Sequence, residues 1–305
     1  RNHEPGGRYS SLKYGFRDLV RPLSGAMMGT LYLVATPIGN LEDISLRALN
    51  VLKQASLIAA EDTRQTQKLL HRYEISAHTI SYHEHNKLSR VQDILDALAG
   101  GDVALVSDAG TPGLNDPGYE LVRAALAAGY NVSAVPGPSA PIAALVISGL
   151  PTDAFLYLGY LPRRPSERRQ RLQEVAALTY TLIFLETPHR LSEALEDMEA
   201  VLGERPMAAA RELTKLHEEV IRGTISEVRV HFEKNEPRGE FTLVVGGNTQ
   251  ADAGQWTEEK LCEAIEERLN AGQAQSQIAS DLAAESGWQR REVYHIIESI
   301  KKRPD

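Results

Sequence analysis

The chain has a single cysteine, Cys262, in 305 residues. One thiol excludes an internal disulfide framework and a zinc site built on several cysteines. No apolar run is long enough to span a bilayer. Neither G-x-G-x-x-G nor G-x-x-x-x-G-K-S/T occurs, which leaves out the common dinucleotide loop and the P-loop. Positive charge is not in excess: 33 Lys and Arg face 41 Asp and Glu, a formal net charge of −8. No global basic field draws such a chain to nucleic acid, so binding there must use local patches or a preformed ribonucleoprotein surface. His71, His78 and His217 lack metal-ligand spacing, and no metal is expected. The remainder is globular in composition, 42% hydrophobic and 24% charged, with length for two or three domains. A cytoplasmic protein fits these features.

What is present is organised around Leu105-Val-Ser-Asp-Ala-Gly-Thr-Pro-Gly-Leu-Asn-Asp-Pro-Gly118. The apolar run 103–106 suits a buried parallel strand. Asp116 can cap a following helix with Pro117 at its first position, carrying Leu121, Val122, Ala125 and Leu126 up to Gly129. A glycine loop at the carboxyl end of a parallel strand is where open α/β sheets take ligands. By itself it reads equally well as an ordinary turn.

Residues 1–29 read as a disordered leader, with Met27 or Met28 as a native start. Over 30–149, strands at 31–35, 57–60, 79–82, 103–106 and 131–135 alternate with helices, the first helix capped near Asp43. That alternation predicts a mainly parallel sheet with helices on both faces, and strand ends gathered along one rim. A second α/β domain over 150–248 follows, with strands at 155–158, 181–185 and 241–245, a helix capped by Ser166, and a capping box at Thr224–Glu227. This half is expected to form a mixed sheet. Beyond a linker at 248–255, residues 256–305 are all helical and look like a helix-turn-helix or a helical packing appendage.

Six segments fall in one order: Thr36-Pro-Ile-Gly-Asn-Leu-Glu-Asp-Ile44, Glu61-Asp-Thr-Arg64, Ser107-Asp-Ala-Gly-Thr-Pro112, Asn115-Asp-Pro-Gly118, Pro136-Gly-Pro138 and Arg211-Glu-Leu-Thr-Lys215. On them the chain resembles the bacterial small-subunit (16S) rRNA (cytidine-2′-O)-methyltransferases of the tetrapyrrole methylase superfamily, over about 31–247. Its tail is similar to that family's C-terminal helical domain. The resemblance implies an α/β protein of two domains with S-adenosylmethionine in the cleft between them, a homodimer, and 16S rRNA of the small ribosomal subunit as partner. It places cofactor contacts at Ile38, Gly39, Asp108, Gly110, Thr111, Pro112, Leu114, Ser139 and Ala140, and at a second-domain strand end, Leu185 and Glu186. Many superfamily members have Gly-Asp-Pro where this chain has Gly110-Thr-Pro112, which makes Asp108 the candidate for the acidic contact.

A ribose 2′-hydroxyl must lose its proton during methyl transfer. Candidates for a base or an orienting group are Asp62, Arg64, His83, His85, Asn86, Glu212 and Lys215, all at predicted strand ends or just beyond. Arg64 and Arg211 can instead bind phosphate, or pair with Asp62 and Glu212. Arg163, Arg164, Arg168, Arg169 and Arg171 form the densest basic run, either a solvated helix face or a docking patch for RNA; Arg290 and Arg291 are a second candidate. Three functions compete: an RNA 2′-O-methyltransferase, a tetrapyrrole methyltransferase acting on a small molecule, and a transcriptional regulator using the tail. The motif set and the arginines favour the first; fold alone does not fix substrate.

Overall fold

The structure, a computed structural model, describes residues 29–248 and 256–301. The expected leader, apart from Gly29, and most of the expected linker at 248–255 lie outside the described residues. Contacts divide the chain into two compact units. One holds the chain up to Ile147 together with Ala210–Val220 and Arg238–Thr242; the other holds Ser148–Ala209, Ile221–Pro237 and the chain from Leu243 on.

The first unit carries a five-stranded sheet: β1 (Thr30–Val34), β2 (Leu57–Ala60), β3 (Thr79–Ser81), β4 (Val103–Val106) and β5 (Asn131–Val135), in the order β3-β2-β4-β1-β5. All four pairings are parallel, with Leu31 opposite both Val103 and Val132. Every residue of β2 and β4 is buried. Covered on both faces, these strands read as unbroken apolar runs rather than alternating ones. On one face α1 (Leu46–Gln54) and α2 (Thr63–Arg72) contribute Ala48, Leu52, Leu69 and Leu70 to a core with Ile58, Ala104 and Val106. On the other, α3 (Lys87–Gly100) and α4 (Tyr119–Ala127) contribute Ile94, Leu98, Leu121 and Ala125 to a core with Ala59, Val103 and Leu105. A fifth helix, α5 (Ala140–Ser148), follows β5.

This arrangement creates the crevice. The helix after β4 lies on the face opposite the helices that follow its neighbours β1 and β2. Chains leaving adjacent strands therefore diverge, and the gap at the carboxyl ends is the topological switch point where open α/β sheets bind ligands. Two expected caps differ. Asp43 ends a one-turn 3-10 helix begun under Asn40, and Ser45 caps α1 through the N–H of Ala48 at 3.1 Å. Asp116 caps nothing: α4 starts after Gly118, two residues later than Pro117 suggests, because Asp116 is drawn into the crevice.

The second sheet has β6 (Phe155–Tyr160), β7 (Thr181–Glu186), β8 (Pro206–Arg211), β9 (Glu219–Thr224) and β10 (Phe241–Val245), in the order β6-β7-β10-β8-β9, with β6 and β7 parallel. Its helices are α6 (Pro165–Val175), α7 (Leu191–Leu202) and α8 (Ile225–Lys234). Pro165 takes the first position of α6 and Arg164 the cap, so Ser166 is inside the helix rather than capping it. The capping box at Thr224 and Glu227 forms as expected and opens α8. Strands β8 and β9 were not expected from the sequence.

The tail folds as α9 (Glu258–Asn270), α10 (Gln275–Ser286) and α11 (Arg290–Lys301) around Leu261, Ile265, Ile278, Leu282, Val293 and Ile297. Gly287, at φ +73°, ends α10 in the left-handed conformation that glycine adopts most cheaply. No helix among the described residues is long and apolar enough to cross a membrane.

Candidate active site at the rim of the first sheet

Three strand-end loops are laced together. Thr36, after β1, exchanges main-chain hydrogen bonds with Gly110, after β4, at 2.9 and 3.0 Å. The Thr36 hydroxyl donates to Ser107 O at 3.1 Å, and the Thr111 hydroxyl reaches Pro138 O, after β5, at 3.4 Å. Gly110 has φ +79°, and a Cβ there would meet Ile38 Cγ2 at 3.5 Å and Pro138 O at 3.8 Å. Glycine is favoured there by conformation, and a methyl would make only ordinary contacts. At Gly113, also at positive φ, a Cβ would meet nothing within 4 Å. Ile38, Gly110 and Thr111 of the expected cofactor set thus converge with the 136–140 loop that carries Ser139 and Ala140. Pro112 and Leu114 continue the same loop, with Leu114 exposed.

Gly39 has a different reason to be glycine. Its Cβ would lie 2.5 Å from Lys215 Cγ and 2.7 Å from Leu213 O, and the Asn40 N–H donates to Thr214 Oγ1 at 3.0 Å. The 36–40 loop therefore packs directly on the 211–215 loop. That second loop is strained: Glu212 and Thr214 have φ of +51° and +66° without being glycine. Lys215 Nζ donates to Glu212 at 2.9 Å, Arg211 pairs with Glu219, and the Glu212 carboxylate occupies the space a side chain at Gly239 would need. Glu212 and Lys215, far apart in sequence from the 36–40 loop, are brought to it.

Carboxylates crowd the ends of β2 and β4. The Asp108 N–H donates to Glu61 Oε2 at 3.3 Å, and the Asp62 N–H donates to Asp108 Oδ1 at 2.9 Å. Asp108 thus leans toward β2, apart from the rest of the expected cofactor group. Asp62 caps α2 and grips Arg64; those bonds hold its carboxyl down to about 2. Burial, then the nearby charges of Glu61 and Asp108, push Asp116 up to about 7. Burial raises Glu61 and Asp108 as well. Sequence reading missed Glu61 and the half-buried carboxyl of Asp116; the only signal was the place of Glu61 at the end of β2.

Asn86 turns out to be fully used in its own turn. Its Oδ1 accepts the His83 N–H at 2.8 Å and its Nδ2 donates to Ser81 O and Oγ, both at 3.1 Å. His83 and His85 meet edge to face, 6.1 Å between ring centres. In the second unit Leu185 and Glu186 end β7. Glu186 is buried, accepts the Thr187 N–H at 2.8 Å and pairs with Arg190 at 3.2 Å. Burial raises its carboxyl above the ordinary range.

The arginine run is divided by the structure. Arg168 is 2% exposed and donates to Asp197 at 2.6 Å and Glu193 at 3.3 Å, so it is removed from the docking patch expected of it. Arg169 shares Asp197, while Arg164 and Arg171 pair with Glu167 and Glu174 one turn on. Arg163 is exposed with no ion pair among the described residues. The run is one turn of helix docking plus four exposed cations.

Among the described residues, the first unit has hollows at both ends of its strands. The larger, about 380 Å³, is lined by Ser56, Leu57 and His78 at the amino ends of the strands, away from every loop above. The smaller, about 140 Å³, lies at the rim between the 36–41 loop, α2 and Ser107–Asp108.

The sequence profile of the tetrapyrrole (corrin/porphyrin) methylases matches residues 30–229. Among curated proteins named ribosomal RNA small subunit methyltransferase I, that of Halalkalibacterium halodurans is 45% identical over 88% of this chain and 94% of its own length. That of Synechocystis is 47% identical over 88% and 97%, and that of Bacillus subtilis 44% over 88% and 93%. In fold, the chain is similar to the methyltransferase CobJ, with a TM-score of 0.56 at 19% identity over 72% of this chain and 95% of that one. It is similar also to cobalt precorrin-4 methyltransferase, with a TM-score of 0.56 at 16% identity over 77% and 98%. A profile spanning most of the chain, and relatives this similar along nearly their whole length, show that it belongs to the tetrapyrrole methylase family, in the group named ribosomal RNA small subunit methyltransferase I.

Proposed function

We propose that this chain transfers the methyl group of S-adenosylmethionine to the 2′-hydroxyl of a cytidine ribose in 16S rRNA of the small ribosomal subunit. The observation that carries the reading is the Thr36–Gly110 bridge: it fixes two glycine-bearing strand ends at the switch point of a methylase fold. Relatives at 44–47% identity are named ribosomal RNA small subunit methyltransferase I, which supports rRNA as the substrate class. The cofactor supplies a methyl group activated on sulfonium sulfur. The open space beside Gly113 suits a ligand laid along main chain. Ile38, Gly110, Thr111, Pro112, Leu114, Ser139 and Ala140 hold it, with Gly39 setting the loop and Leu185 and Glu186 contributing from β7.

The chain's other residues orient the hydroxyl and take its proton. Asp62, ionised down to about pH 2 and bound to Arg64, is too weak a base; it sets the start of α2. Asn86 shapes the turn after β3. Glu212 and Lys215, paired on a strained loop, receive the proton and hold the hydroxyl in line, a positioning role that supplies much of the rate in transfers of this kind. The protein acts in the cytoplasm as a homodimer, with the exposed apolar face of α5, Ile142 at 45% and Val146 at 64%, covered by the second copy.

The test supplies purified protein and labelled S-adenosylmethionine with unmodified small subunits, naked 16S rRNA, or a corrinoid precursor. Nucleoside mass spectrometry should find 2′-O-methylcytidine from subunits. Label entering only the macrocycle, or only a base carbon, overturns the reading. Light scattering of the full chain should give twice the monomer mass.

A further inference from the structure

The small rim hollow has residues of defined hydrogen-bonding sense. Pro37, Leu41 and Leu69 form apolar walls, and Gln65, Lys68 and Asp108 stand around them. Its volume, about 140 Å³, is close to the roughly 150 Å³ that accommodates a benzene ring, so one six-membered ring fits. Lys68 Nζ donates to Gln65 Oε1 at 2.8 Å. An ammonium only donates, so this bond fixes the amide and leaves the Gln65 Nε2 hydrogens for a ligand. Asp108 gives Oδ1 to the Asp62 N–H, and its Oδ2 has no hydrogen-bond partner among the described residues. The hollow therefore offers an acceptor at the end of β4, a donor on α2, and a flat apolar slot between.

We propose that this hollow is the acceptor-base subsite, which receives the cytosine of the target nucleotide with Asp108 accepting from its exocyclic amino group and Gln65 donating to its ring-nitrogen and carbonyl edge. Cytosine is the ring that matches: carboxylate to cytosine N4 is a recurrent pairing. Uracil sets its O4 against the Asp108 carboxylate, lone pair to lone pair, and adenine lacks the carbonyl that takes the second Gln65 hydrogen. The base must leave its stack to enter, as for other enzymes that work on one nucleotide. Asp108 leans to β2, and Thr36, which bridges to Gly110, lines the hollow, so the base and cofactor positions adjoin at one strand end. The inference rests on the proposed cytidine methylation for its substrate class, not for its geometry.

Two measurements separate the two ideas. In the first, the full chain with S-adenosylhomocysteine is titrated with cytidine 5′-monophosphate and uridine 5′-monophosphate while backbone amide shifts are followed. Cytidine monophosphate should perturb residues 65–69 and 107–108, about tenfold more tightly than uridine monophosphate. Gln65→Trp, on an exposed helix position, should fill the slot and abolish those shifts while leaving S-adenosylhomocysteine affinity by calorimetry unchanged. In the second, subunits carrying cytidine or uridine at the methylated position are compared. Asp108→Asn, whose amide can donate to O4, should cut the preference for cytidine about tenfold. Shifts confined to other residues, equal binding of both nucleotides, or a Gln65→Trp variant with an unaltered KM for subunits each overturn the subsite. If the wild-type chain methylates no nucleoside yet cytidine monophosphate still perturbs residues 65–69, the subsite stands and the proposed function falls.

Discussion

Four carboxylates at the rim are acidic to very different degrees, and their neighbours decide how much. Asp62 gains three hydrogen bonds from Arg64 side-chain nitrogens and one from its N–H, and stays ionised to about pH 2. Asp116 gains no cation and is raised to about 7 by burial and by the charges of Glu61, Asp108 and Glu240. A carboxyl whose folded pKa is raised binds its proton more tightly in the folded chain. Stability then falls as pH rises from about 4 to about 7 and stays reduced above. Asp116→Asn should remove that slope and raise stability at pH 8 by about 1–2 kcal/mol, below the full conversion because water screens a partly exposed group. Urea unfolding of both proteins from pH 4 to 8 measures it; parallel curves refute it. Two glycines separate space from conformation. Gly39→Ala drives a methyl into Leu213 O and should cost about 1–3 kcal/mol, whereas Gly110→Ala meets ordinary contacts and pays only for φ +79°, about 1 kcal/mol. Thermal melts of the two variants should rank in that order. Residue types at the rim were legible in the sequence, since Asp, Asn, Glu and Lys at strand ends stand out against apolar runs. Their partners were not: the Asp62–Asp108 and Gly39–Lys215 contacts join loops far apart along the chain, which no local pattern encodes.

The element that differs most from its sequence reading is α6. Its arginines look alike in a string, yet the helix turns Arg168 inward with Leu172 and Val175 and leaves Arg169 and Arg171 outside. Although burial works against a charged Asp197, the bonds from Arg169 and Arg168 keep its carboxyl below the ordinary range. Arg168→Ala should destabilise by about 2–3 kcal/mol, because Asp197 loses its buried partner and keeps only the exposed Arg169. Arg168→Met with Asp197→Leu should recover most of that loss. Urea midpoints of the single and double variants decide it, and a single variant within about 0.5 kcal/mol of wild type refutes the buried pair. Strands β2, β4 and β5 were legible to the residue because burial on both faces, or a Pro-Gly stop, marks their ends. Strand β9 was not: Glu219 and Arg222 interrupt its apolar pattern, and it is the last strand in the order of its sheet, where one side has no strand to pair with. The caps at Asp43, Asp116 and Ser166 were misplaced. Near Asp43 and Ser166 a second residue, Ser45 or Pro165, starts the helix, and after Asp116 the helix starts only beyond Gly118; tertiary contacts choose among such starts.

At the scale of the whole molecule, an acidic chain is asked to meet a polyanion. The net charge of −8 gives no long-range attraction, so docking must be local. With Arg168 buried, the exposed cations of the α6 region are Arg163, Arg164, Arg169 and Arg171. Arg164 and Arg171 pair with glutamates at 3.1 and 2.8 Å on the surface, bonds weak enough to exchange for phosphate. Arg163→Glu with Arg171→Glu should therefore raise the KM for small subunits several-fold. It should also flatten the slope of log affinity against log salt by about 1.5, the counterion release of two lost phosphate contacts. Neither side chain is buried, so the urea midpoint should not move, which distinguishes lost docking from lost fold. Cofactor affinity should also hold, since none of the glycine loops includes these residues. An unaltered salt slope would make the α6 cations a solvated face and pass the docking role to Arg290 and Arg291, exposed at the start of α11. In that case their reversal, and not that of Arg163 and Arg171, should flatten the slope.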